Sequence, residues 1–236
     1  MSDWKPRRFW TEAAAVPVTG GYTVHLDKRP VKTPAKAPLV VPTEALAQAL
    51  AAEWDAQEAQ VNPATMPLTR TANSAIDKVA VQRAEVADML AAYGDADLLC
   101  YRAETPAELV AQQAAAWDPV LDWAEGDLGA RLSPRAGILH APQDPAALAT
   151  LSARVHALDP FELAAFHDLV ALTGSLVLGF AAFLTTWSAD EIWELSRLDE
   201  RWQEAQWGVD DEARQIEALK RAAFDDARRF LTLLHR

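Results

Sequence analysis

Two aspartates that follow a helix-ending glycine are the first candidates for chemistry in this sequence. Asp95 and Asp97 come directly after Gly94, and paired carboxylates can serve acid–base catalysis or bind Mg²⁺. Arg102 follows a few residues later and would complete an enzyme site with them. Two acids beside a helix end are also typical of a solvated turn, and no other catalytic group converges on this pair. One hypothesis is therefore a small-molecule enzyme that uses the acid pair.

The remaining nucleophiles and metal ligands form no known catalytic motif. Cys100 lies in an apolar run, which is typical of a buried structural thiol. The histidines include no pair spaced three or four residues apart, so a metal site on one helix is not expected; they are His25, His140, His156, His167 and His235. A phosphate-binding glycine loop, a Gly-x-Ser-x-Gly elbow and a Cys-x-x-Cys pair are all missing. We therefore predict no catalytic residue, no metal and no cofactor.

A helix predicted from Ser188 to Trp207 carries the most informative pattern. One side has apolar residues at helical spacing and is predicted to face a core: Leu195, Leu198 and Trp202. The opposite side interleaves aromatic and charged residues: Trp193, Arg197, Glu200, Glu204 and Trp207. This second row is either a polar face with each tryptophan packed under a neighbouring element, or a protein-binding surface, because Trp and Arg are favoured interface anchors. Periodicity alone favours the first interpretation.

The elements that position these residues are a short β region and a series of helices. Alternating apolar and polar residues, bounded by glycine and proline turns, predict short strands within residues 1–42. From Thr43 onward, apolar residues recur at helical spacing and capping signals repeat, which predicts a helical domain over residues 43–236. We therefore expect an α+β fold with a small amino-terminal β region followed by a larger all-helical domain.

The helical domain is predicted to be built around one buried helix, residues 159–187. Asp159 begins it as a capping residue, and residues 169–189 contain no charged side chain. A helix that is apolar on every face must be covered by protein or by lipid. Because Asp168 and Asp190 bracket the run, we expect a helix covered by protein and not an integral membrane protein. Two glycines are predicted to let neighbouring helices approach closely: Gly174 and Gly179.

Composition restricts the partner and the compartment. The net charge is −12, and residues 188–212 hold nine Asp and Glu against two Arg, which disfavours nucleic acid and anionic membranes as partners. A single cysteine rules out an internal disulfide and fits a reducing compartment. The first residues, Met1 to Lys5, lack the apolar run of a secretory signal and the character of a transit peptide. A cytoplasmic protein is therefore expected.

Six strings, taken in order, resemble a known family of chaperones. They are LDKRPVKTP (Leu26–Pro34), MPLTRTAN (Met66–Asn73), DLLCYRA (Asp97–Ala103), WDPVLDW (Trp117–Trp123), GSLVLG (Gly174–Gly179) and LDERWQEAQWG (Leu198–Gly208). Together they are similar to the chaperones that assemble the catalytic head of the F-type ATP synthase, specifically those dedicated to its alpha subunit. The resemblance spans the chain from Arg8 to Gly208, and six strings in order are specific where one alone would be weak.

The resemblance implies a non-catalytic role, in which the protein binds the free alpha subunit and prevents its aggregation until the head forms. It also implies that an acidic residue of the LDE string is functional, and the matching position is Glu200. The chain lacks the targeting extension of mitochondrial members, which points to a bacterial form. We therefore expect a cytoplasmic monomer that binds the ATP synthase alpha subunit through Glu200 and its row. A general acidic adaptor for other helical partners is a further hypothesis.

Overall fold

The computed structural model describes residues 7–236, so the expectation for Met1 to Lys5 lies outside the described residues. One sheet contains β1 (Ala13–Val18), β2 (Gly21–Leu26), β3 (Arg29–Pro30) and β4 (Val40–Val41), and a second contains β5 (Tyr101–Arg102) and β6 (Arg135–Ala136). The helices are α1 (Glu44–Asp55), α2 (Pro67–Ser74), α3 (Arg83–Ala91), α4 (Ala107–Trp123), α5 (Pro145–Ala157), α6 (Pro160–Thr173), α7 (Leu176–Phe183), α8 (Ala189–Ser196), α9 (Leu198–Trp207) and α10 (Asp211–Leu234). A strand-rich start followed by helices confirms the predicted α+β class.

Two compact units make up the chain. The first extends to Arg83 and also contains Asp159–Ala165 and Arg229–Arg236, whereas the second contains Ala84–Leu158 and Phe166–Arg228. The predicted boundary at residue 42 therefore falls inside the first unit. The reason is packing, because α1 lies against β1 and β2 and buries its apolar face there.

The first sheet is built around the hairpin of β1 and β2. Val18 pairs with Gly21 across a two-residue turn, and β2 also pairs with β3 and β4. The turn after β2 contains Asp27, whose φ is 54°. The hydroxyl and backbone N–H of Thr11 and the backbone N–H of Glu12 all donate to the Asp27 carboxylate. These bonds lower the pKa of Asp27 and fix the turn.

Side chains fix the ends of the first two helices. The hydroxyl of Thr43 accepts the N–H of Leu46 at 3.2 Å, so Thr43 caps α1 at the start of the predicted helical domain. The same hydroxyl donates to the carbonyl oxygen of Leu233 at 2.6 Å. At the start of α2, the Glu53 carboxylate accepts the backbone N–H groups of two consecutive residues, each at 2.8 Å. The helical segments of the first unit are therefore held by polar contacts as well as by apolar burial.

The predicted central helix over residues 159–187 is two helices, so that expectation was wrong. Gly174 ends α6 with a φ of 71°, in the left-handed region that favours glycine. The hydroxyl of Ser175 then accepts the N–H of Leu178 at 2.9 Å and starts α7. A helix-stop residue and a helix-start residue thus lie side by side inside the apolar run. The predicted burial holds for α7 but ends before residues 184–186, which are exposed.

The second glycine of the run has the predicted role. A Cβ on Gly179 would lie 2.6 Å from Cγ2 of Val170, so α6 and α7 approach more closely than any other residue would allow. The ring of Phe166 packs beside this contact, 4.7 Å from the ring of Phe180. No helix in residues 7–236 combines the length and the apolar character that crossing a membrane requires.

Candidate functional site

Asp97, one of the two aspartates of the enzyme hypothesis, is an internal anchor. It is fully buried, and its carboxylate accepts the backbone N–H groups of Leu99 and Val177, both at 3.0 Å. The bond from Val177 closes the amino-terminal end of α7. Burial raises the pKa of Asp97 to about 6, although the hydrogen bonds act in the opposite direction. This carboxylate therefore holds two segments of the second unit together.

Asp95 and Arg102 have partners of their own. Asp95 accepts the backbone N–H of Gln143 at 2.7 Å and lies 3.2 Å from Nε2 of His140. Arg102 donates to the Asp118 carboxylate at 2.8 Å, and its guanidinium lies over the ring of a buried tryptophan of α4. Each group of the hypothetical enzyme site is thus engaged separately.

The described residues contain neither a metal-ligand cluster nor an accessible thiol. Nowhere in residues 7–236 do three or more His, Cys, Asp or Glu side chains come together in a way that could hold a metal ion. Cys100 is buried, and this burial, with the nearby charge of Asp97, raises the pKa of its thiol to about 12. The prediction of a buried structural thiol is confirmed.

The predicted helix over residues 188–207 is broken at Arg197. This residue has φ of −113° and ψ of 13°, which ends α8 and starts α9. Because the break changes the direction in which earlier side chains point, Trp193 lies on the buried side and is only 2% exposed. Of the predicted core stripe, Leu198 is buried and the other two members are half-buried. The row of five residues is therefore not one continuous helix face.

Trp193 supports the site from inside the protein. Its indole N–H donates to Glu217 at 3.1 Å, and its ring lies 5.6 Å from that of Phe224. The guanidinium groups of Arg197 and Arg221 lie 5.3 and 5.9 Å from its ring centre, where cations are attracted to an aromatic face. Trp193 thus packs under a neighbouring helix, as the first interpretation of the row predicted. Within the row, its ring contacts the guanidinium of Arg197.

Arg201 joins three helices through ion pairs, and the sequence pattern did not predict this role. It forms ion pairs with Glu194 of α8 at 3.0 Å, with Glu204 of α9 at 3.2 Å and with Glu217 of α10. The hydrogen bond from Arg201 lowers the pKa of Glu217 to about 2. The network was not predictable because its carboxylates come from separate helices whose contacts leave no periodic signal.

The other four residues of the row line a groove of about 410 Å³ between α9 and α10, which we call the α9–α10 groove. Trp207 is 80% exposed, contrary to the packing interpretation of the row. Glu200 has 51% of its side chain exposed and is held at 3.0 Å by Arg197. Glu204 is held by Arg201, so both acids of this wall have fixed positions. From α10 the groove receives Ala213, Ile216, Glu217 and Lys220.

The first half of α10 exposes apolar side chains that the sequence pattern does not distinguish from core residues. Ile216 lines the groove and Leu219 lies one turn further along the exposed part of the helix. The second half of α10 buries Phe224 and Phe230 instead. One amphipathic pattern runs through the whole helix, and only tertiary contacts show which half is covered. The groove therefore combines exposed aromatic and aliphatic side chains with fixed carboxylates, and such a surface suits protein binding better than catalysis.

Comparison with known proteins gives consistent matches. Residues 7–125 match the family described as ATP12 chaperone protein. The chain is 28% identical to protein atp12, mitochondrial, of Schizosaccharomyces pombe, covering 89% of this chain and 77% of that one. It is similar to the crystal structure of Atp12 from Paracoccus denitrificans with a TM-score of 0.95 and 50% identity, over 98% of this chain and 100% of that one. An aspartate-to-lysine mutant of P. denitrificans Atp12p matches with a TM-score of 0.95 and 49% identity, over 99% and 100% of the two chains.

Proposed function

We propose, since the chain belongs to the ATP12 chaperone protein family, that it binds the free alpha subunit of the F-type ATP synthase. Bound in this way, the alpha subunit is kept from aggregating until the catalytic head assembles. Family membership supports the chaperone role, and the six strings that resemble alpha-subunit chaperones support the identity of the client. We further propose that the protein acts as a monomer in the bacterial cytoplasm, without catalysis and without bound nucleotide.

The proposed binding site rests on one observation: Trp207 is exposed in the α9–α10 groove, beside carboxylates with fixed positions. A tryptophan side chain buries a large apolar area when a partner covers it, which is why it is a frequent interface anchor. Glu200 and Glu204 lie beside it and are oriented by Arg197 and Arg201. An apolar centre with a charged rim permits specific binding and also release, because the rim returns to water when the client leaves.

Light scattering of the purified alpha subunit tests the chaperone role directly. Without nucleotide, a molar excess of this protein should suppress the rise in scattering that accompanies alpha-subunit aggregation. The client exposes surface that the assembled head buries, and covering that surface removes the cause of aggregation. Unchanged scattering at a molar excess would contradict the proposed function.

Charge reversal at Glu200 tests the proposed site. The Arg197–Glu200 pair is exposed and such pairs contribute about 0–1 kcal/mol, so Glu200→Lys should leave the melting temperature nearly unchanged. At the interface, the same change replaces attraction by repulsion and can cost several kcal/mol of binding free energy. Asp122→Lys is the matched control, because Asp122 is an exposed acid of α4 that does not line the groove. A stable Glu200→Lys variant that binds like the control would place the client elsewhere.

A further inference from the structure

A second groove lies on the other side of α9 and shares Trp207 with the α9–α10 groove. It measures about 490 Å³ and is formed by α9, the start of α4, and the segments around β5 and β6; we call it the α4–α9 groove. Its apolar lining contains Tyr101, Pro106, Leu109, Ile138, Trp202 and Trp207. Since Trp207 contributes to both grooves, its exposed ring stands on the ridge between them.

The segment that follows β6 presents apolar side chains to solvent from a fixed backbone. The N–H of Gly137 donates to the carbonyl oxygen of Arg102 at 2.8 Å, and Gly137 has a φ of 82°. The next residue, Ile138, is 92% exposed, and Leu139 after it is also exposed. Exposed aliphatic side chains at a groove edge are favourable contact area for a partner, because covering them removes apolar surface from water.

The charges that line the α4–α9 groove are unbalanced. Its one cation, Arg102, is already paired with Asp118, which lies outside the lining. Its two carboxylates belong to Asp199 and Glu104. The Asp199 carboxylate accepts the side-chain amide of the buried Gln113 at 2.7 Å, and Glu104 has no ion-pair partner in residues 7–236. The lining therefore offers two carboxylates without a basic partner beside an apolar wall.

We infer that the α4–α9 groove docks an apolar segment of the client that also carries a basic side chain. The apolar side chains of this segment cover Ile138 and Trp207, and its basic side chain pairs with Glu104. The client then contacts both sides of the ridge formed by Trp207, which explains why this ring is exposed to both grooves. This inference rests on the proposed function, because it takes the ATP synthase alpha subunit as the client.

Equilibrium binding of the purified alpha subunit to variants of the full chain tests the inference. Ile138→Asp should weaken binding about tenfold, as expected for loss of a buried apolar anchor. Glu104→Lys should weaken it to a similar extent, and more at low ionic strength, because the lost attraction is between charges. Val81→Asp is the control for the first change, since Val81 is exposed in the first unit. Asp122→Lys is the control for the second.

The possible results distinguish a failure of the inference about the α4–α9 groove from a failure of the proposed function. Weaker binding by Ile138→Asp and Glu104→Lys, with normal binding by both controls and unchanged melting curves, supports the inference. If the wild-type chain does not bind the alpha subunit, the proposed function fails and the inference fails with it. If the wild type binds and all four variants bind equally well, only the second groove is refuted. A concentration-dependent dimer that Ile138→Asp abolishes would assign the groove to a second copy of the chain and overturn the inference.

Discussion

Replacing Glu217 by glutamine should loosen the first half of α10 at neutral pH and hardly affect it in acid. The carboxylate of Glu217 accepts hydrogen bonds from the Arg201 guanidinium and the Trp193 indole. Its pKa is lowered from 4.5 to about 2, and this shift corresponds to about 3.4 kcal/mol if solvent screening is ignored. Arg201 has 32% of its side chain exposed and Glu217 has 20%, so screening reduces the expected loss to about 1–2 kcal/mol.

The sign of the pH dependence follows from the direction of the shift. Glu217 has a lower pKa in the folded protein than in the unfolded chain, so its charge stabilises the fold above pH 4.5. That contribution is lost as the pH falls from 4.5 toward about 2. Glutamine keeps the size of the side chain and an acceptor for Trp193, but it carries no charge. The difference in stability between wild type and Glu217→Gln should therefore be largest at neutral pH and shrink in acid.

Thermal melts followed by circular dichroism, recorded from neutral to acid pH, measure this difference. For a chain of this length, about 1–2 kcal/mol corresponds to roughly 2–8 °C in melting temperature. Amide hydrogen exchange over residues 211–220 shows whether the loss is local to α10. Glu212→Gln is the control, because Glu212 lies in the first turn of α10 and has no ion pair in the described chain. A difference between wild type and Glu217→Gln that stays constant with pH would refute the electrostatic explanation.

Three further predictions concern the interior of the second unit. Asp97→Ala should destabilise the fold at every pH by leaving buried N–H groups without an acceptor, at about 1–3 kcal/mol each. Because the folded pKa of Asp97 is raised from 3.8 to about 6, its contribution to the free energy of unfolding should fall as the pH rises through that range. Urea titrations at several pH values should show this fall in the wild type and not in Asp97→Ala. Leu178→Ala should lower the free energy of unfolding in urea by about 2–5 kcal/mol, since Leu178 is fully buried. Gly179→Ala should cost about 1–3 kcal/mol, and Val170→Ala in the same chain should recover part of it, whereas additive losses would contradict the close contact.

Local signals were sufficient where a few neighbouring residues decide the structure. The turn between β1 and β2, the cap at Thr43 and the capping box at Ser188 were all predictable, because each depends on residues within about four positions of one another. The α+β class followed from the change of apolar period along the chain. The burial of Cys100 followed from the apolar residues around it.

The two helix breaks differ in what the sequence reveals. Gly174 followed by Ser175 is a stop signal followed by a start signal, but their apolar surroundings made one helix the simpler interpretation. Arg197 carries no such signal, since arginine favours helices, yet its backbone leaves the helical region at this position. That unseen break placed Trp193 on the wrong side of the predicted helix.

The sequence named four of the residues that line the α9–α10 groove, but it did not show the groove itself. Glu200 and Trp207 are exposed in one groove, although their role in binding stays a prediction. The ion pairs of Arg201 and the α4–α9 groove depend on side chains from segments far apart in sequence. A single sequence does not show which of these side chains meet.

The exposed ring of Trp207 also gives the protein a built-in optical probe. Of the tryptophans in residues 7–236, Trp207 alone is exposed, at 80%, whereas the others are buried or half-buried. Its emission should lie at longer wavelength than that of the others, and a neutral quencher such as acrylamide should reach it first. Trp207→Phe should remove this quenchable component from the spectrum. Client binding should protect the same component, so occupancy of the ridge between the two grooves is measurable without an attached dye.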